Sequence, residues 1–101
     1  LDERERVVAD LGNKHLMMLR NHGTLALGSS VGACFMRLYY IERACKIQVG
    51  AMSGTINMPN QSAIDMMEAT FNNPASWESL SATAWPSMRR LADRLDANYQ
   101  D

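Results

Sequence analysis

The sequence predicts an α/β fold in which a pair of strands is followed by a long helix and further C-terminal helices. Two observations carry this prediction. Short apolar runs flank the polar residues Arg20–Gly23, a pattern typical of two strands joined by a tight reversal. Over residues 31 to 53, apolar residues recur at steps of three and four, which is typical of a helix. Since two strands alone make a marginal sheet, we expect these strands to belong to a larger one.

The first element is predicted as a helix over residues 3 to 11. Val7, Val8 and Leu11 fall on one side of it, and Gly12–Asn13 is a typical stop signal. The chain begins at Leu1 with a charged run and no methionine, so we expect a processed chain or a fragment.

The strand pair and its reversal come next. Leu16–Leu19 lead into the reversal, and Leu25–Leu27 lead out of it. Gly23 suits such a point because glycine tolerates positive φ and close approach to its backbone. Gly28 then ends the second strand, and either Ser29 or Ser30 can cap the following helix.

The long helix carries more apolar surface than a single stripe. One row of it consists of Val31, Cys34, Leu38, Ile41, Cys45 and Met52. Further apolar positions widen that row: Phe35, Met36, Tyr39, Tyr40, Ala44, Ile47 and Val49. Its charges are confined to Arg37, Glu42, Arg43 and Lys46, with Glu42 and Lys46 spaced for an ion pair. A helix of this kind must be covered on several sides, so we expect cover from more of the same polypeptide, another subunit, or both.

The C-terminal part is predicted to be helical. One modest helix covers residues 61 to 71 and is stopped by Asn72–Asn73–Pro74. A final helix carries Trp85, Met88, Leu91 and Leu95 at helical spacing, and Pro86 is expected in its first turn, where the missing N–H costs nothing.

Composition excludes some classes of partner. With 47% hydrophobic residues, 21% charged residues and a net charge of −1, the chain offers no electrostatic footprint for nucleic acid or an anionic membrane. No segment approaches the roughly 18–20 uninterrupted apolar residues of a membrane span.

Cys34 and Cys45 would lie about 16 Å apart on a helix, beyond disulfide reach. They are expected to be buried reduced thiols in a cytoplasmic protein.

His22 is the candidate functional residue, and two interpretations remain open for it. Its imidazole could be a metal ligand, or His22 could be a turn residue that only hydrogen-bonds the nearby backbone. The other imidazole, His15, would lie about 20 Å away across the first strand. If His22 binds a metal, its partner ligands must therefore lie elsewhere. Tyr39, Tyr40 and the eight methionines are expected to pack rather than bind ligands.

Two segments of the chain resemble the class II aldolase/adducin family. The first is "LMMLRNHGTLALGSSVGACFMRLYYIERACKIQVGAMSG", residues 16 to 54, in which a strand ending in "LRNHG" precedes a capped helix containing "YYIERACKIQV". The second is the ending "AWPSMRRLADRLDANYQD", which is similar to the tail of many bacterial members. The resemblance implies that residues 1 to 101 are the C-terminal portion of a single three-layer α/β/α domain.

The resemblance also implies a function for His22. In metal-dependent members the histidine of this motif is the third zinc ligand, after a His-x-His pair earlier in the domain, and an upstream acidic residue works as acid/base. That pair and that acid have no counterpart here, so only His22 carries over. The implied activity is a lyase that cleaves a carbon–carbon bond, or epimerises, a sugar-phosphate-like or hydroxy-carbonyl substrate through a metal-stabilised enediolate. A divalent metal, zinc in particular, and a homotetramer are implied as well.

One departure and two rival functions accompany this resemblance. The helix start "SSVGAC" lacks the acidic residues usual after the serine cap in this family, so the cap is expected to be weaker. The family also contains adducin, a cytoskeletal protein whose related domain has lost the metal site. A non-catalytic adducin-like binding or structural module is therefore the alternative. A third possibility is a helical domain that folds alone, with nothing bound at His22.

Overall fold

A computed structural model of the chain describes residues 2–99, and it confirms the mixed α/β order predicted above. Helix α1 is followed by the strands β1 and β2 and then by helices α2, α3 and α4. Their bounds are α1 Glu3–Leu11, β1 Leu16–Leu19, β2 Gly23–Ala26, α2 Val31–Ala51, α3 Gln61–Asn72 and α4 Pro74–Leu95. The chain is thus a strand pair followed by a long helix and C-terminal helices.

The strands form an antiparallel hairpin whose register is set by the reversal between them. Leu16 lies opposite Ala26, and Leu19 lies opposite Gly23. Within residues 2–99 these are the two strands of the one sheet. Two strands cannot make the middle layer of a three-layer domain by themselves, so that arrangement is not completed by these residues.

Helix α2 begins where the sequence predicts. The hydroxyl of Ser30 accepts a hydrogen bond from the backbone N–H of Ala33 at 3.1 Å, which satisfies one of the free donors of the first turn. The middle of the predicted apolar row is half-buried, but Val31 and Met52 at its two ends are exposed. The fully buried residues belong to an adjacent face of α2: Gly32, Ala33, Met36 and Arg37.

That buried face of α2 packs against α4. An added Cβ at Gly32 would lie 3.0 Å from Cγ of Trp85 and 3.4 Å from Cβ of Ser81, so the two helices approach closely at a small residue. Trp77 of α4 is 5% exposed, and with Ala33 and Met36 it makes up the buried apolar core of the described chain. This core is small, and many large apolar side chains stay exposed.

Helix α4 differs from the prediction for Pro86. The expected position was the first turn of a final helix, but Pro86 lies inside α4, and Pro74 occupies the first turn instead. The amide oxygen of Asn73 caps α4 by accepting from the backbone N–H of Ala75 at 3.0 Å. Pro86 cannot donate to the carbonyl of Ala82, so α4 stays continuous at the loss of one hydrogen bond. The packing of Trp77, Ser81 and Trp85 against α2 on the preceding turns explains why the helix tolerates this loss.

Two further expectations concern cysteines and membranes. Cys34 and Cys45 are both free thiols on α2, and both are half-buried rather than fully buried. Among residues 2–99, no helix has the length and apolar character needed to cross a membrane.

The close contact at Gly32 predicts the result of substituting this glycine. Gly32→Val is expected to lower the free energy of unfolding by about 1–3 kcal/mol, because the new methyl groups have no room between α2 and Trp85. Chemical denaturation followed by circular dichroism measures this change.

Gly50→Val is the matched control in the same helix. Nothing lies within 4 Å of a Cβ at Gly50, so the free energy of unfolding should change by only a few tenths of a kcal/mol, roughly the difference in helix propensity between the two residues. Equal effects at the two positions would contradict a close α2–α4 contact at Gly32.

Candidate functional site

His22 lies at the end of the hairpin reversal, directly before β2. Its backbone N–H donates to the carbonyl oxygen of Leu19 at 3.1 Å, which closes a four-residue turn. Asn21, the third residue of that turn, has φ 57°. Asparagine is one of the few residues besides glycine that adopt this left-handed conformation readily. The sequence "RNHG" therefore folds into a tight turn that places His22 where β1 and β2 meet.

The imidazole of His22 is exposed and opens onto a cleft between the hairpin and α1. The cleft has a volume of about 370 Å³. Its charged lining residues are Glu3, Arg6, Asp10 and Arg20. Within residues 2–99, the ring of His22 makes no hydrogen bond to another side chain or to the backbone, so its nitrogens are available to a ligand.

The described residues do not complete a metal site. No group of three or more histidine, cysteine, aspartate or glutamate side chains is arranged to hold a metal ion anywhere in residues 2–99. His15 precedes β1 at the opposite end of the hairpin, where its carbonyl accepts from the backbone N–H of Leu27 at 2.9 Å. The structure therefore separates the two imidazoles along β1, in agreement with the sequence spacing.

A hydrogen bond that the sequence analysis missed ties the hairpin to α2. The hydroxyl of Thr24 donates to the carboxylate of Glu42 at 3.2 Å. Thr24 is the second residue after His22, so this bond anchors the strand that follows the candidate ligand. For Glu42, the sequence indicated only the ion-pair spacing from Lys46. No local pattern signals its bond to Thr24, because 18 residues separate the two.

Arg37 is a second residue whose role the sequence analysis missed. It is 5% exposed, its Nη1 donates to the carbonyl of Leu27, and its guanidinium carbon lies 5.3 Å from the ring centroid of Trp77. A signal was present, since Arg37 lies three or four positions from Ala33, Tyr40 and Ile41 on the helix. A charge flanked in this way lies within an apolar face.

The arrangement of hairpin and helices matches a solved structure, and the sequence matches a family model. The crystal structure of an aldolase II superfamily protein from Pseudomonas syringae superposes with a TM-score of 0.77 at 37% identity, over 100% of this chain and 41% of that chain. The family model described as "Class II Aldolase and Adducin N-terminal domain" matches residues 1–49. The chain belongs to the class II aldolase and adducin family.

Within this family, the chain is similar both to proteins named after class 2 aldolases and to adducins. A Caulobacter vibrioides protein named after class 2 aldolases is 38% identical over 100% of this chain and 40% of its own length. Human beta-adducin is 40% identical over 45% of this chain and 6% of its own length. The chain thus spans about 40% of the length of the bacterial relatives it matches.

The Thr24–Glu42 bond predicts how substitutions change the mobility of the hairpin. Thr24→Val keeps the β-branched shape but removes the donor, which should cost about 0.5–1.5 kcal/mol of local stability. The backbone amides of β2 are then expected to exchange with deuterium about two- to tenfold faster, as measured by NMR.

Thr70→Val is the control for this prediction. The Thr70 hydroxyl donates to the carbonyl of Met66 within α3, at 2.9 Å, so its loss should leave exchange in the hairpin unchanged. If both variants leave β2 exchange unchanged, the bond to Glu42 does not hold the hairpin.

Proposed function

We propose that residues 1–101 are the C-terminal portion of a single class II aldolase domain and that His22 supplies one ligand to a divalent metal, zinc in the first instance. The observation that carries the proposal is the exposed imidazole of His22 on the hairpin turn, at the motif that resembles the family's third metal ligand. The remaining ligands would come from polypeptide outside residues 2–99, since these residues hold no cluster that could bind a metal.

The chain's own contribution to such a site is to hold one imidazole in place. The turn hydrogen bond to Leu19 and the left-handed Asn21 fix the backbone at His22, and Thr24 anchors β2 through Glu42. Preorganised ligands lose little conformational freedom on binding, which favours affinity. A bound divalent metal would polarise the carbonyl and hydroxyl oxygens of a substrate.

The activity proposed for the complete site is that of a metal-dependent lyase. It would cleave a carbon–carbon bond of a small hydroxy-carbonyl or sugar-phosphate-like substrate, or epimerise it, in the cytoplasm. Family membership supports this proposal, as do the bacterial relatives named after class 2 aldolases. The near-neutral charge of the chain fits a small-molecule substrate better than a polyanion.

A non-catalytic adducin-like module is the second candidate function. Human beta-adducin and an adducin-related protein of Schizosaccharomyces pombe, which is 27% identical over 97% of this chain, both support it. In such a module His22 would serve only as a turn residue. Metal binding by His22 distinguishes the two candidates.

Replacing each of the two histidines in turn tests the proposed metal site. His22→Ala is expected to abolish binding of one divalent ion per protomer, because it removes a ligand. His15→Ala, at the other end of β1, is expected to retain the ion. Native mass spectrometry of the purified protein, compared with the same sample denatured, counts the bound ions.

The alternative outcomes of this experiment are distinct. A wild-type protein that binds no metal, with both variants folded, favours the adducin-like module. Loss of the ion in both variants would indicate a general folding defect rather than a ligand, which circular dichroism detects.

We further propose that the protein assembles as a homotetramer. The second half of α2 supports this, because Ile47 and Val49, on opposite sides of the helix, are each 70% exposed and Met52 is 65% exposed. Apolar side chains exposed on more than one side of a helix require cover from another subunit or from more of the same polypeptide.

The exposed end of α2 predicts a change of assembly on substitution. Ile47→Glu together with Val49→Glu should shift the protein from tetramer to smaller species in analytical ultracentrifugation, because burying two carboxylates in an interface is costly. Val8→Glu replaces an apolar residue of α1 that is 64% exposed, outside the end of α2, and is the control. A wild-type protein that stays monomeric at all concentrations would contradict the tetramer.

A further inference from the structure

Arg37 is a buried cation whose contacts within residues 2–99 include no anion. Its side chain is 5% exposed, and no aspartate or glutamate of those residues lies within ion-pair distance of it. Its neighbours supply one carbonyl oxygen, that of Leu27, and the face of the Trp77 ring. A buried charge that is paired only in part is costly, so the guanidinium is poised to gain from a negative group.

The guanidinium faces a cavity that can admit such a group. Nη1 is the nitrogen that donates to Leu27, and no fully buried side-chain nitrogen or oxygen in the described chain lacks a hydrogen-bond partner. The other guanidinium nitrogens therefore keep some accessible surface. Arg37 lines a cavity of about 650 Å³ between the start of β1, α2 and the α3–α4 junction, a volume typical of small-molecule sites.

Three aromatic rings form one wall of this cavity, which we call the aromatic wall. Tyr40, Phe71 and Trp77 contact one another with ring centroids 5.4 to 6.1 Å apart. The indole N–H of Trp77 donates to the carbonyl of Phe71 at 2.7 Å, which fixes the ring that also faces Arg37. The rings are tilted by 46° to 84° to one another, so the aromatic wall is a preorganised but uneven surface for the apolar part of a ligand.

The polar lining of the cavity is basic or neutral. Lys14 adds a second cation, and Asn72 adds an amide. No aspartate or glutamate lines this cavity among residues 2–99; Glu68 lines the neighbouring cleft, which shares Lys14 with it. The charges favour an anion, and the planar guanidinium fork of Arg37 matches the geometry of a carboxylate.

We propose that this cavity binds a diffusible small molecule that carries a carboxylate on an apolar body, with Arg37 and Lys14 on the carboxylate and the aromatic wall on the body. His22 takes no part, so this proposal stands or falls separately from the metal site.

A titration of the whole protein, in its native polypeptide and assembly, tests this proposal. The probe is benzoate, and benzamide is the uncharged control. Benzoate is expected to bind with millimolar affinity and to give intermolecular nuclear Overhauser contacts to the Trp77 ring. Benzamide should bind at least about tenfold more weakly, because it lacks the charge that meets Arg37.

The two lysines of the chain give matched variants. Lys14→Gln should weaken benzoate binding about two- to fivefold, the usual size of an exposed charge contact. Lys46→Gln removes the same charge from an exposed position of α2 outside the cavity and should leave binding unchanged. Arg37 itself is a poor test position, because its loss would also free the carbonyl of Leu27.

A crystal structure of the whole protein without added ligand tests whether the cavity is open to such a molecule. An open cavity that takes benzoate supports the proposal, and an aspartate or glutamate of the polypeptide seated on Arg37 overturns it. A cavity filled by uncharged groups overturns the proposal. So does an open cavity that binds benzoate no better than benzamide, or one whose binding Lys14→Gln leaves unchanged.

Discussion

One buried guanidinium connects the three parts of this chain. Arg37 lies on α2, donates to the carbonyl of Leu27 just after β2, and lies against the Trp77 ring of α4. Since it is 5% exposed, its charge is removed from water and depends on these contacts. The hairpin, the long helix and the C-terminal helix therefore share one polar junction, next to an apolar core of three buried side chains. A hydrogen bond from a charged donor is stronger than one between neutral groups. The bond from Arg37 therefore adds stability that the small apolar core does not supply.

The position of His22 follows from that junction. Arg37 holds the end of β2 through Leu27, and Glu42 holds the start of the same strand through Thr24. Both ends of a four-residue strand are thus attached to α2, about two and about three turns into the helix. A short hairpin is marginal by itself, so its stable placement depends on α2. The imidazole at the turn is consequently positioned by the helix that holds both ends of β2.

The two halves of α2 are covered by the rest of the described chain to very different extents. The first half is covered by α4 and β2, whereas Ile47, Val49 and Met52 at the other end are exposed. Apolar residues placed on several sides of a helix are stable only if several surfaces cover them. Residues 2–99 cover only the first half of α2. This agrees with the chain spanning about 40% of the length of its bacterial relatives. A complete core would require polypeptide or subunits beyond these residues.

Local signals in the sequence determined the elements and their ends. The serine cap of α2, the stop at Gly12 and the reversal at Asn21 depend on a few adjacent residues, so each could be predicted from its own stretch of chain. The motif around His22 also identified the family and the candidate ligand.

Tertiary structure decided the rest. Pro86 stays inside α4, Glu42 bonds Thr24, and Arg37 is buried beside Trp77. Each of these depends on residues distant in sequence that meet only when α2 packs on its neighbours. The spacing of Arg37 on an apolar face indicates that it is buried but not which groups it meets.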